Sequence, residues 1–344
     1  MLLPMKRLRN AGVIAALVLA ACAPPPSGGL PDPGDWPADP SFPSGPAVVM
    51  PPQPPGPPQP LRTDASVRHS GPAQIKCPAL AGAPNAVDPI AFHGQGSMGH
   101  VHQYFGNLVL LGLPDPSKAT YAQIVAQKTT CTNNNDSASY WNPTLIEKGT
   151  GRVIEVKQFT AYYSSFDRQN QGPAEAFPPD TRLISPMTTD LKANNWTCGQ
   201  FEEKRHPAQS SLPNCTGVSG KPGHTLTAHI TFPSCWDGVL PNHPDNQTGD
   251  TRDNIHWSYT VKKGTTRTCP AAYPHQMAEL RETIQFAYTG NAAANLTLSS
   301  DAMMNTTQGM SLHADFWNTW QQAGLEQMLD RCVRSNGMIF PGEC

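Results

Sequence analysis

Leu226–Phe232 reads LTAHITF. Leu226, Ala228, Ile230 and Phe232 alternate there with Thr227, His229 and Thr231. Successive side chains on a strand point to opposite faces, so this order predicts a strand with one apolar and one polar face. Short runs of similar texture recur at Val101–Leu111, Tyr140–Ile146, Val153–Tyr163, Ile255–Val261 and Thr283–Tyr288, separated by Gly-, Pro- and Asn-rich breaks. Many short strands with that punctuation predict a mainly β domain, an antiparallel β-sandwich or jelly-roll-like fold. Few helices are expected. A short one is predicted at Tyr121–Gln127. A longer one is predicted at Phe316–Arg334, where Trp320, Leu325, Met328, Leu329 and Cys332 recur near helical spacing and Asp315 stands as N-cap.

The chain has 344 residues, a net charge of -2 and 15% charged residues, too little and too balanced to point to nucleic acid as a partner. Its start has the order of a bacterial lipoprotein signal. Lys6, Arg7 and Arg9 are followed by the apolar run Ala11–Leu19 and then by Leu19-Ala20-Ala21-Cys22. Residues 1–21 are expected to be the signal, and Cys22 the lipidated residue that holds the protein to a membrane. Residues 22–70 are dense in Pro, Gly, Ser and Ala, with PPQPPGPPQP inside them. Such a segment favours extended geometry and predicts a disordered tether, whose Ala23–Arg62 part reaches up to about 120 Å at ~3.1 Å per residue. Residues 71–344 are long enough for one domain with its own core. The expected location is exported and anchored at the cell envelope, as a monomer.

Export changes how cysteines are read. Beyond Cys22, the nine cysteines leave Cys77, Cys131, Cys198, Cys215, Cys235, Cys269, Cys332 and Cys344. An even set in an oxidising compartment argues for disulfides, and the absence of any Cys-x-x-Cys argues against a zinc ribbon. Cys198 with Cys215 is the favoured local pair; the other pairings stay open.

Asp88–Asn107, DPIAFHGQGSMGHVHQYFGN, is the stretch richest in chemistry. His100 and His102 lie two apart on an expected strand, so both imidazoles share a face. His313 and Asp315 repeat that spacing in SLHADF, and Asp237 sits in Cys-Trp-Asp-Gly with His256 downstream. Asp136 and Asp301 lie in polar loops without an assigned role.

Taken together, DPIAFHGQGSMGHVHQYFGN, TTCTNNNDSASYWNPTL, FPPDTRLI, HITFPSCWDG, CPAAYPHQMAEL and SLHADFWNTW resemble the secreted family named domain of unknown function nineteen-ninety-six. The resemblance covers about residues 77–334. Some fungal members carry WSC carbohydrate-binding modules, so the resemblance implies work on a carbohydrate or cell wall. The sequence departs from the family pattern after FPSCWDG: the segment RDNIHWSYT keeps His256 but has Asp253 where a second histidine is usual.

Three functional readings follow. In the first, the domain binds and cleaves a polysaccharide, as a glycoside hydrolase or a lyase. Asp88, Asp237 and Asp315 then supply acid and base, His100, His102, His256 and His313 are further candidates for proton transfer, and Tyr104, Trp141 and Trp317 stack on sugar rings. In the second, it is a non-catalytic module that binds wall glycan. In the third, His100, His102 and His313 hold a divalent metal, zinc or copper. No Gly-x-Ser-x-Gly elbow, phosphate loop, dinucleotide fingerprint or His-Glu-x-x-His helix is present.

Overall fold

The computed structural model describes residues 48–49, 72–80, 84–165, 174–199, 207–221, 224–240, 255–264 and 266–334. Ten strands make two five-stranded antiparallel sheets. They are β1 (Ala73–Lys76), β2 (Asn85–Val87), β3 (Ser97–Gly106), β4 (Ser139–Pro143), β5 (Val156–Ser164), β6 (Arg182–Ser185), β7 (Asn194–Thr197), β8 (Thr227–Thr231), β9 (Glu279–Phe286) and β10 (Ala314–Trp317). The first sheet runs β1-β5-β9-β8-β7 and the second β2-β3-β4-β10-β6.

LTAHITF behaves as its alternation predicts. Leu226, Ala228, Ile230 and Phe232 are fully buried in the main core, together with Phe159 and Tyr163 of β5 and Leu280, Ile284 and Phe286 of β9. His229 points to the other face, where Thr197 Oγ1 lies 2.9 Å from Nε2 and Thr283 Oγ1 3.3 Å from Nδ1. The second sheet closes the core from the opposite side. Phe105 of β3 stacks on Phe159 at 4.2 Å, Phe316 of β10 meets Phe232 at 6.1 Å, and the hydroxyls of Tyr140 and Tyr163 are 2.7 Å apart. Each such ring removed from water contributes roughly 1.5–3 kcal/mol. Two sheets facing across one core are compatible with the expected sandwich.

The other face of the second sheet is covered too, and this cover positions the site. Tyr104, Trp141 and Trp317 pack there with Leu80, Ile90, Leu110, Ala119 and Ile124 in a second, smaller core. The cover consists of the turns after Asp88, the 3-10 turns Leu110–Gly112 and Pro116–Lys118, and the one-turn helix Tyr121–Ile124. That helix falls where a short one is expected, and ends three residues earlier.

Several boundaries differ from the sequence reading. The helix expected from Phe316 begins at Gln322 and runs to Cys332, with Leu325, Met328, Leu329 and Cys332 buried as expected. Phe316 and Trp317 belong instead to β10. Ala314 and Phe316 join the main core, Trp317 joins the second core, and Asp315 is a mid-strand residue rather than a helix cap. The Val101–Leu111 strand stops at Gly106, whose φ of +86° brings the chain so close that a Cβ would lie 2.2 Å from the Ala138 carbonyl. Tyr140–Ile146 is interrupted at Thr144, whose N–H turns to the Val101 carbonyl at 2.9 Å. Leu145–Glu147 then pairs with Leu296–Leu298. Ile255–Val261 splits into Trp257–Ser258 and Val261–Lys263.

Three disulfides are described: Cys77–Cys131, Cys198–Cys215 and Cys235–Cys269. The local pair expected from the sequence is among them. Cys332 is also disulfide-bonded. Cys22 and Cys344 lie outside the described residues, as do most of the expected tether and the signal. Within the expected tether, Val48–Val49 pairs with Val239–Leu240; two adjacent β-branched residues suit a short strand. No helix among the described residues is long and apolar enough to cross a membrane.

Candidate functional site

The strand β3 carries His100, His102 and Tyr104 on its outer face, the one turned from the main core. Pairing then lays a polar and aromatic row across three strands: Tyr104 opposes Trp141 on β4, and Trp141 opposes Asp315 on β10. His313 lies just before β10, two residues from Asp315 and on the same side. The result brings His313 to the paired histidines from 213 residues away: its Nε2 lies 3.2 Å from His100 Nε2. The ring centroids of His100 and His102 are 4.3 Å apart, and those of His100 and His313 are 4.9 Å apart.

The orientation of His313 is set behind it. Its Nδ1 lies 2.7 Å from the Ser311 carbonyl, which only a protonated Nδ1 can satisfy as donor. Ser311 in turn donates its hydroxyl to Asp301 at 2.6 Å. Buried Asp301 also accepts the N–H groups of Leu298 at 2.7 Å and Gly309 at 2.8 Å. Asp301 thus shapes the whole 297–311 segment, a positioning role that its place in a serine- and threonine-rich loop only hinted at.

Burial decides the charges here. It pushes His100 down to about 3, with His313 adding to the fall, and His313 down to about 4 against the pull of the Ser311 carbonyl and Asp301. His102 is held well below the ordinary histidine range by burial and then by its two histidine neighbours, with the Val87 carbonyl working weakly the other way. All three imidazoles are therefore neutral at pH 7, the state in which histidine binds metals. Their ligand atoms lie within 4.8 Å of one another.

Two carboxyl groups adjoin them. Asp88 Oδ1 accepts the N–H groups of Ile90 and Ala91, each at 2.9 Å. Burial still raises its pKa to about 6, with those donors and the Trp141 indole opposing the rise. Asp315 has no hydrogen-bond partner for either oxygen among the described residues. Burial, then Asp88 and then Glu282, raise its pKa well above the ordinary range. Glu282 is a buried acid that the sequence reading missed. It sits on β9 between Leu280 and Ile284, which belong to the main core, and burial raises its pKa strongly.

The sequence candidates thus fall into two groups. Asp88, His100, His102, Tyr104, Trp141, His313 and Asp315 share the outer face of the second sheet. Trp317 packs in the same small core, its indole N–H donating to Asp180 at 2.7 Å and the Arg182 guanidinium lying 4.2 Å over its ring. Tyr104, Trp141 and Trp317 are at most 1% exposed, so they are walls of the site; no ring face is open for the sugar stacking expected of them. Asp237 and His256 pair with each other, Oδ2 to Nδ1 at 2.7 Å, on the small sheet that holds Trp236 and Trp257. No described hydrogen bond, ion pair or ring contact joins this pair to the three histidines. Asp237 Oδ1 also accepts the Val239 N–H at 2.8 Å, which makes it the turn residue that Asp-Gly implies. Trp236 is core, stacked on Trp257 at 5.9 Å. Residues 167–173 and 241–254 lie outside the described residues.

No curated protein and no solved structure matches the chain. A family match covers residues 88–320, from the first carboxylate of the site to the end of the segment carrying His313 and Asp315. On that match the chain belongs to the family described as Domain of unknown function (DUF1996).

Proposed function

We propose that this chain is a metal-dependent protein of the cell envelope, whose working centre is one transition-metal ion held by His100, His102 and His313. One observation carries this reading: three neutral, buried imidazoles from two distant segments have ligand atoms within 4.8 Å of one another. Three nitrogen ligands with a further position left open are what zinc uses in catalytic sites, and imidazole suits copper equally. The Ser311 carbonyl that orients His313 is the outer-sphere partner that metal-ligating histidines ordinarily have. His100 and His313, 7% and 8% exposed, are the members of the group nearest to solvent and give the ion its side of approach.

A cell-envelope polysaccharide is the substrate class to test first, on the strength of the lipoprotein-like start, the tether and the carbohydrate modules of similar proteins. Metal-free cleavage by Asp88 and Asp315 is the weaker reading. At 3% and 1% exposure, those carboxyl groups offer a glycosidic bond no approach in this conformation. The test is to strip the full chain with chelator, add zinc or copper back, and follow metal content, thermal stability and reducing-end release from a polysaccharide panel. Tight binding at a hundred-fold excess over Kd adds about 2.7 kcal/mol of stability. A folded chain that retains neither metal sinks the proposal. Release that survives chelator moves the chemistry to the carboxyl groups.

A further inference from the structure

We infer that the same pocket holds a second divalent cation, bound by Asp88, His102 and Asp315 beside the three-histidine position. This deepens the metal reading above and rests on it. Each of the three residues offers one ligand atom, and these atoms lie within 4.8 Å of one another. Their side chains come from three places: the turn after β2, mid-β3 and mid-β10. All are 3% exposed or less.

The second observation is independent of the cluster itself. Both oxygens of Asp315 and both ring nitrogens of His102 lack a hydrogen-bond partner among the described residues. A buried polar atom left without a partner costs roughly 1–3 kcal/mol. Four of them on two neighbouring side chains, beside the second carboxyl group of Asp88, form a donor set that a cation satisfies at once. Asp88 is already oriented for the task. Its Oδ1 is held by the N–H groups of Ile90 and Ala91. His102 belongs to both triads, and its two ring nitrogens can serve two ions.

The chemistry balances through protons. As the metal–oxygen bonds form, each carboxyl group that holds a proton gives it to solvent. If His102 bridges, its ring N–H is lost as well. Two carboxylate oxygens and one imidazole nitrogen suit zinc or manganese.

Metal content separates the outcomes. The full chain is stripped, equilibrated with zinc chloride and analysed for zinc per chain, with thermal unfolding of each metal-free variant as the folding control. The expected result is about two zinc ions for the native chain and about one for each of Asp315→Asn, Asp88→Asn and His313→Gln. About one zinc in the native chain, unchanged in Asp315→Asn and Asp88→Asn, overturns the second position and leaves the three-histidine centre standing. About one zinc that Asp315→Asn and His313→Gln both abolish overturns it in favour of a single ion shared by the whole pocket. No zinc in a folded native chain overturns this inference together with the reading it rests on.

Discussion

His313 Nε2 stands 3.2 Å from His100 Nε2 because the other side of its ring is committed: Nδ1 donates to the Ser311 carbonyl at 2.7 Å. The tautomer is thereby fixed, and the lone pair on Nε2 faces the pocket. The device extends one step further back, from Ser311 to Asp301. Ser311→Ala deletes the hydroxyl that anchors this carbonyl to Asp301 and leaves the three imidazoles in place. We expect zinc affinity to fall by about tenfold or more, as it does when outer-sphere partners are removed, with a stability loss of about 1 kcal/mol. Competition with a chromophoric chelator reads the first and urea unfolding the second. Unchanged affinity would show that Ser311 does not position His313.

His102 separates function from folding. A buried imidazole whose nitrogens have no partners contributes little to the metal-free fold, and replacing it with a hydrocarbon of similar size removes the desolvation cost. His102→Leu is therefore expected to leave the metal-free protein as stable as before, or more stable by about 1 kcal/mol, while abolishing the rise in melting temperature on adding zinc. A large loss of metal-free stability would mean that the ring is held by interactions of structural worth.

Part of this site is legible in the sequence and part is not. His-Val-His and His-Ala-Asp announce shared faces because strand periodicity is local. That His313 meets His100 depends on β3, β4 and β10 lying side by side, which no local pattern encodes. The Asp315 cap fails for a physical reason: the helical spacing of Leu325–Cys332 is genuine, but extending it back to Phe316 ignores the period of two in Ala314-Asp315-Phe316-Trp317. Glu282 is lost by one residue. A strand begun at Thr283 excludes it, while the alternation Leu280, Glu282, Ile284, Phe286 puts it among core positions. The pair of Asp237 and His256 does form, as their grouping in the sequence implies, but on a separate small sheet.

Asp180 holds two buried neighbours at once. Its Oδ1 accepts from the Trp317 indole at 2.7 Å and from Arg182 Nε at 3.1 Å. Its own φ of +64° lies in the left-handed region. Arg182 is 2% exposed, so losing this carboxylate removes one charged acceptor from a buried guanidinium. Asp180→Ala is expected to destabilise the fold by about 1–3 kcal/mol. Asp180→Asn keeps an acceptor and a residue tolerant of that φ, and should cost visibly less. Equal losses in the two variants, measured by urea unfolding, would remove the charge from the explanation.

Asp136 ends a chain of buried hydrogen bonds between the two sheets. The Trp320 indole donates to the Tyr163 hydroxyl at 3.0 Å, the Tyr163 and Tyr140 hydroxyls are 2.7 Å apart, and Tyr140 donates to Asp136 Oδ2 at 2.9 Å. An indole can only donate and each hydroxyl has one hydrogen, so the chain runs in one direction, toward the carboxyl group. Burial raises the pKa of Asp136 from 3.8 to about 8, against the donors Tyr140 and Ala138. Between those two values the folded state keeps a proton that the unfolded state has lost. Stability from this group is then full below about pH 4, declines as pH rises, and levels off above about 8. In Asp136→Asn the amide oxygen still accepts from Tyr140, but nothing titrates. The stability of the Asn variant relative to the native chain should therefore climb by about 1.4 kcal/mol per pH unit between pH 5 and 7. Urea unfolding of both proteins at pH 5, 6, 7 and 8 measures the difference directly. A difference that does not change with pH would mean that Asp136 is ionised throughout, and that the tyrosine hydrogen bonds, rather than burial, set its charge.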